Sequence, residues 1–312
     1  MHTWKRGALW GVATIALLAV SASGKPLSGQ SDAASRPATP VANDSWPEVN
    51  LNVVVLDKQG VPQKVNEREF QLFEDDAERP LHFLGSADSP VSLALIIDTS
   101  GSMYNRQGSI TAAVHAILNG LPNGSEVMAV LFADEAFLDL PFTPASGIDY
   151  SFLDRLNARG GTTLYDTVVE AEKYFAAHAR YVRRAIVLIS DGGDNSSHSP
   201  RADAIRSLQW PGAPTLYSLH LPDTEVSGVG TRHGKLAMEL FAKAGGGVSF
   251  TPKEKDFAPA IARLADMIRS QYVLHFTTAD PARDGRAHKL EVRLPIKDVE
   301  VHALPVYCAP AK

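Results

Sequence analysis

A single cysteine, Cys308, stands in 312 residues. No internal disulfide can staple the fold, and the thiol reads as a small buried hydrophobe near the last strand. Positive charge is also scarce. Thirty Lys and Arg against 35 Asp and Glu leave a net charge of −5, so there is no basic footprint for nucleic acid. No P-loop occurs, and the glycines at 228–234 miss the dinucleotide spacing and follow no strand-to-helix turn. His115, His178, His198, His220, His233 and His275 are scattered without metal-ligand spacing. Such histidines are surface or satisfied core groups far more often than catalytic ones. Neither Ser100 nor Ser102 sits in G-x-S-x-G, and nothing marks a general base for them. An aspartyl-phosphate enzyme would need an Asp two residues after Asp98, where Ser100 stands. These gaps argue against an enzyme and leave a binding protein.

What is present is ordinary for a globular chain: 45% hydrophobic and 21% charged residues, with length for one large or two small domains. Residues 1–24 read as a secretory signal peptide. Lys5 and Arg6 precede an apolar run from Ala8 to Val20, and small residues follow, with cleavage expected after Ala22 or Gly24. An uncleaved anchor is the alternative, but about 13 apolar residues fall short of the ~20 that span a bilayer. No Cys follows the run, which argues against a lipid anchor. The mature chain is therefore expected in the periplasm or secreted. Residues 25–47 are small, polar and Pro-rich, and read as a disordered linker.

Residues 48–87 predict a small β-rich region, with strands over 49–57, 70–75 and 79–85. From residue 88 the texture changes. Near-continuous apolar runs at 91–98, 126–133, 184–191 and 214–221 read as strands buried on both faces. Helical patterns at 109–121, 164–180, 200–209, 235–245 and 256–271 separate them, and 136–140 reads as an antiparallel edge strand. This alternation predicts an α/β fold, doubly wound around a mostly parallel sheet, over 88–271. Residues 272–308 return to β texture. They are expected to pair with 48–87 as a β-sandwich-like region, or else to dock separately on the α/β core.

The first parallel strand ends in I-I-D-T-S-G-S-M, 96–103. Spacing of two in an extended segment throws Asp98, Ser100 and Ser102 to one side. One carboxylate and two hydroxyls are hard donors, suited to Mg²⁺ rather than Zn²⁺. Taken alone, the row reads more readily as a cap for the next helix. Two further segments should reach the same sheet edge: R-G-G-T-T-L-Y-D-T at 159–167 and L-I-S-D-G-G-D-N at 188–195.

D-x-S-x-S, then G-G-T, then a strand ending in S-D-G resembles the von Willebrand factor A (VWFA) domain, over about residues 88–271. The flanking β texture and R-S-Q-Y at 269–272 further resemble an exported bacterial subgroup of VWFA-related proteins, first noted in acidobacteria. The resemblance implies a Rossmann-like VWFA fold and a metal-ion-dependent adhesion site (MIDAS). Asp98, Ser100, Ser102 and Thr162 would hold the ion, and Asp191 would bond through water. Thr163 is the lesser choice, because the family's ligand directly follows the Gly pair. The implied cofactor is Mg²⁺, with Mn²⁺ as an alternative, and the implied partner is a protein supplying an Asp or Glu carboxylate. A structural envelope module in which the ion only stabilises loops is the competing reading, and a metal-dependent hydrolase the weakest.

Elsewhere, Asp194 and Asn195 read as a turn. The acidic cluster Glu74, Asp75, Asp76 and Glu78 reads as a solvated hairpin. Arg180, Arg183 and Arg184 are expected to face solvent at the sheet edge opposite the site. Residues 222–234 read as a loop that either shapes partner choice at the site's rim or merely connects.

Overall fold

The computed structural model describes residues 46–85, 88–222 and 229–311. The leader and all but the last two linker residues lie outside the described residues, as does the part of the rim loop at 223–228. In chain order the strands and helices are β1 (Glu48–Asp57), β2 (Gln71–Glu74), β3 (Ala77–Arg79), β4 (His82–Gly85), β5 (Ser92–Asp98) and α1 (Gln107–Asn119). Then come β6 (Glu126–Phe132), β7 (Ala136–Pro144), α2 (Leu164–His178), β8 (Arg184–Ser190), α3 (Arg201–Ser207), β9 (Thr215–His220) and α4 (Val229–Ala244). The chain closes with β10 (Ser249–Phe250), α5 (Phe257–Arg269), β11 (Tyr272–Thr277), β12 (Ala287–Arg293), β13 (Val299–Ala303) and β14 (Val306–Cys308).

The central sheet runs β10-β9-β8-β5-β6-β7, parallel except for the antiparallel edge strand β7. Every residue of β5, β6 and β8 is buried, because both faces carry helices. Successive side chains of β5 enter different cores. Leu93, Leu95 and Ile97 meet α1 and α5 through Ile110, Val114, Ile117, Leu264 and Ile268. Ala94 and Ile96 meet α2, α3 and α4 through Val168, Phe175, Ala204, Met238 and Phe241. The chain leaves β5 on one side toward β6 and later returns on the other with β8. The carboxyl end of β5 is therefore the topological switch point where α/β ligand sites form.

Two antiparallel sheets flank this body: β13-β1-β11-β4 and β14-β12-β2-β3. Strands from either side of the α/β segment alternate within them. Glu48–Val53 of β1 runs against Tyr272–Thr277 of β11, and Gln71–Glu74 of β2 against Leu290–Arg293 of β12. A third core, including Val49, Leu51, Leu72, Phe276, Leu290 and Tyr307, lies between the sheets. Val54 and Leu56 of β1 turn the other way into the core of the α/β body.

Three expectations are corrected. Arg183 and Arg184 do not face solvent. Arg183 is 1% exposed, and its guanidinium donates to Ile268 O (2.8 Å) and Arg269 O (2.7 Å) at the end of α5, and to Ser89 O. Arg184 donates to Tyr181 O (3.0 Å) and Gly212 O (3.1 Å) and lies over the Trp210 ring. Backbone carbonyls that end a helix or turn inside the protein need donors, and a guanidinium carries five. Only Arg180 is exposed. Nor is Glu74 solvated. It is buried, and its carboxylate accepts from Thr278 Oγ1, Tyr307 OH, Arg79 Nε (2.8 Å) and Ala279 N (3.1 Å). Burial would raise its pKa, but these donors together hold it below the ordinary value. Asp75 bonds His288 Nδ1 (2.9 Å) within the same sheet, while Glu74 reaches Thr278 just past β11 of the other sheet, so these two members of the cluster are structural. Cys308, expected to be buried, is half-exposed at the end of β14.

Glu172 of α2 is the most heavily perturbed carboxyl. It is 2% exposed and accepts from Trp210 Nε1 (3.0 Å). Burial lifts its pKa to about 8, opposed by the Trp210 bond and the Arg184 charge. A raised carboxyl pKa gives a contribution to stability that is complete below the unfolded value and is lost as pH rises through the folded one. Glu172→Gln keeps a bond acceptor and removes the proton. The fall in unfolding midpoint between about pH 5 and about pH 9 should therefore be smaller in Glu172→Gln than in the native chain, measured by thermal melts. Parallel curves would show that Glu172 ionises without cost.

Candidate metal and partner-binding site

Asp98, the last residue of β5, has no exposed surface. Its Oδ1 accepts from Ser100 N (2.8 Å) and its Oδ2 from Ser190 Oγ (2.6 Å). Burial raises its pKa to about 6, with the nearby Asp191 charge acting in the same direction. None of the groups that shift it is a basic side chain. Two neighbouring carboxylates at a buried strand end set a negative potential that a bound cation would relieve.

The segments that carry the other expected donors meet at the same sheet edge. Ser100 is buried, and its Oγ lies 3.1 Å from Ser102 Oγ, so both hydroxyls share one side of the turn. Gly101 N donates to Gly160 O (3.2 Å), which fastens the Gly-rich loop against this turn. Arg159 N donates to Thr99 O (3.0 Å) and repeats the tie. Thr162 follows at once, buried. Its N–H donates to Asn195 Oδ1 (2.8 Å), and its carbonyl accepts from Asn195 N and Ser196 N (both 3.1 Å). The three segments singled out in the sequence are thereby stitched into one edge. Thr163 directs its hydroxyl to Ala133 O (2.9 Å), a structural bond consistent with its lesser standing as a donor. Asp191 follows β8, half-buried, with Oδ1 accepting from Gly193 N (2.9 Å). Its backbone carbonyl bonds His220 Nε2 (3.1 Å). Burial lowers the His220 pKa, which favours a neutral structural imidazole there.

Several supporting residues carry no strong signal in the sequence. Ser190 both donates to Asp98 and accepts from Gly192 N (2.9 Å), so it orients the carboxylate and the following turn together. Asp134 Oδ1 accepts from Gly161 N (2.7 Å). Gly160 has φ +76°, and its missing Cβ is what lets the Asp134 carboxylate approach. Asp194 Oδ2 and Ser197 Oγ accept from Tyr165 N (3.0 and 3.1 Å) and cap α2. The expected turn at Asp194 and Asn195 is thus a loop-and-helix brace. The rim expectation is corrected in part, since α4 begins at Val229, earlier than its apolar periodicity indicates. Gly234 lies inside this helix, where its missing side chain lets its backbone meet Asp191 and Gly192 closely.

The donor set fits a hard divalent cation by its chemistry. It comprises two carboxylates, hydroxyls on turns, and no nitrogen or sulfur. Among the described residues no group of three or more His, Cys, Asp or Glu could hold a metal, so any cation here would depend on neutral hydroxyls for its remaining ligands. Tyr104, 68% exposed, stands beside this edge.

Residues 93–193, from β5 through the Gly192 turn, match the von Willebrand factor type A domain. A comparison with curated proteins finds no match. Among solved structures, the chain is similar to an aerotolerance-related membrane protein from Bacteroides fragilis at 21% identity and TM-score 0.42, covering 55% of this chain and 98% of that one. It is also similar to the conserved hypothetical protein BatB from Bacteroides thetaiotaomicron at 19% identity and TM-score 0.43, covering 58% and 100%. A von Willebrand factor type A protein from Catenulispora acidiphila gives 15% identity and TM-score 0.46, covering 84% and 73%.

Ser190 and Ser102 should behave differently when truncated. Ser190→Ala leaves a buried Asp98 oxygen and the Gly192 amide without their partner, and should cost about 1–3 kcal/mol in urea unfolding. Ser102→Ala, at a partly exposed turn, should stay within about 0.5 kcal/mol. Equal losses would show that Ser190 is not the residue that holds Asp98 in place.

Proposed function

We propose that this chain is an exported protein-interaction module that holds one divalent cation at the β5 edge and meets a partner carboxylate there. Asp98, Ser100, Ser102 and Thr162 form the cation's seat, and Asp191 bonds through water. Mg²⁺ is the proposed occupant and Mn²⁺ the alternative. The observation that carries this reading is the buried Asp98 beside Asp191 with no basic side chain to balance it. When bound, the cation would keep a net positive charge toward the partner, because Asp98 would be its only direct carboxylate ligand and the other direct donors would be neutral hydroxyls. The protein's own part is to fix the oxygens: Ser190 orients Asp98, Gly101 joins the turn to the Gly-rich loop, and Asn195 holds Thr162.

The chemistry proposed is association rather than turnover. The matched von Willebrand factor type A domain is in general a non-catalytic interaction module, which supports that choice indirectly. No helix of the described residues is long and apolar enough to cross a membrane. Export rests on the reading of residues 1–24, and periplasmic or secreted placement follows from it. The strands of 48–87 and 272–308 act in this proposal as one platform carrying the 88–271 domain.

A peptide array carrying Asp, Glu, Asn and Gln variants tests the reading. With Mg²⁺ present, the full chain should retain acidic spots and lose them in chelator and in Asp98→Asn. Retention of acidic peptides without metal, or by the variant, would contradict it. A purely stabilising ion would instead raise the melting temperature while no spot depended on it.

A further inference from the structure

A cavity of about 280 Å³ opens beside the β5 edge, and its lining includes Thr99, Leu131, Phe137, Asp139, Arg155 and Arg159. Thr99 stands between Asp98 and Ser100, so a single residue separates this cavity from the row of oxygens. That residue is pinned from two sides. Thr99 N and Oγ1 donate to Phe132 O (2.7 and 2.9 Å), and Thr99 O accepts from Arg159 N (3.0 Å). The volume suits one long side chain and falls below the ~300–1,000 Å³ of small-molecule pockets.

The cavity is apolar on one side and positive on another. Leu131 is buried and Phe137 is 36% exposed, so a hydrocarbon stem could lie against both. Asp139, with 7% of its side chain exposed, meets Arg155 Nε at 2.5 Å. Burial raises the Asp139 pKa, and the Arg155 charge opposes that rise. The pair balances itself. Arg159 differs: it is exposed, and among the described residues no carboxylate or carbonyl engages its guanidinium. Two guanidiniums and one carboxylate leave the lining with one uncompensated positive charge, carried by the residue whose backbone is tied to Thr99.

A partner that sets a carboxylate on the cation therefore meets a second positive point close by. In an extended segment, side chains two residues apart share a face about 6.5–7 Å apart. A carboxylate two residues from the coordinating one would then enter the cavity. Glutamate fits better than aspartate, because its longer stem can cover Phe137 and Leu131 while its oxygens reach Arg159. A lysine or arginine there would meet Arg159 as a like charge, which adds discrimination to affinity. A neutral aromatic would fill the apolar side but leave a desolvated guanidinium unpaired.

We propose that this cavity is a specificity subsite of the β5 edge, receiving a partner glutamate two residues from the metal-bound carboxylate, with Arg159 as its counter-charge. It rests on the cation reading of Asp98 and narrows the partner to an acidic segment with carboxylates at alternate positions.

The probes are labelled peptides carrying Gln-Ala-Glu-Ala-Gln, Glu-Ala-Glu-Ala-Glu or Lys-Ala-Glu-Ala-Lys between Gly-Ser flanks, titrated with the full chain in saturating Mg²⁺ and read by fluorescence anisotropy. The central Glu is the common metal ligand, and placing the varied residue on both sides covers either chain direction. The all-Glu peptide should bind about tenfold tighter than the Gln peptide, the gain of one charge-assisted bond, where statistics alone would give about threefold. In Arg159→Gln the ratio should fall to the statistical value. In Arg159→Glu the order should invert, with the Lys peptide tightest. Both substitutions keep the backbone tie to Thr99 O, and circular dichroism checks that both variants fold. A native ratio no better than statistics, or one that Arg159→Gln leaves in place, overturns the proposal, while Mg²⁺-dependent binding of the Gln peptide would still support the cation reading. If no peptide binds in Mg²⁺, or all bind equally in chelator, the cation reading fails and the subsite falls with it.

Discussion

A carboxylate buried at the end of the central strand, without a basic neighbour, is the constraint around which the α/β segment is arranged. Asp98 has no exposed surface, and Asp191 adds a second negative charge beside it. In an ordinary core such a group would be replaced or paired with a cation, since desolvating an unpaired charge is expensive. Here the surroundings do neither. They supply Ser190 Oγ and the Ser100 amide, which fix the oxygens without neutralising them. In the proposed function this held negative charge is what a cation would balance.

The fold explains how that arrangement is kept. The all-buried strands β5 and β8 end side by side, so Asp98 and Ser190 meet without any long loop between them. The Gly-rich segment can lie against both because Gly160 takes φ +76° and leaves room for Asp134. At the opposite edge the body is tied to the flanking sheets by Arg183, which ends α5 just before the chain enters β11. β1 contributes to the same junction, with alternate side chains in two different cores. The β5 edge and the β-sheet platform are therefore parts of one connected framework of buried bonds.

Much of this was legible in the sequence because it rests on short-range pattern. Continuous apolar runs reveal strands covered on both faces, and an oxygen-bearing side chain at the end of such a run can only point out of the sheet's carboxyl edge. The order of strand and helix gave the doubly wound α/β body and the antiparallel edge strand. What stayed hidden depends on long-range approach. Ser190 looks like any small strand residue until β8 is laid beside β5. Asp134 acquires its role only when the Gly160 turn arrives. Arg183 and Arg184 read as solvent-facing because sequence shows charge but not the unpaired carbonyls that wait for it. Glu74 misled for the same reason: its partners Thr278 and Tyr307 lie more than 200 residues further on. Gly234 carried a further lesson, since a glycine near a helix start can mark close packing instead of a loose connector.

The most direct test of the central claim is calorimetric titration of Mg²⁺ into the full chain stripped of metal, beside Asp98→Asn. Asparagine keeps an acceptor oxygen for Ser100 N and can turn its amide N–H toward Ser190 Oγ while removing the charge, so the variant should still melt cooperatively. The account predicts binding of one ion per native chain and no binding heat in the variant. Equal heats in the two proteins, or none in the folded native chain, would mean that Asp98 is held for the turn it caps and not for a cation.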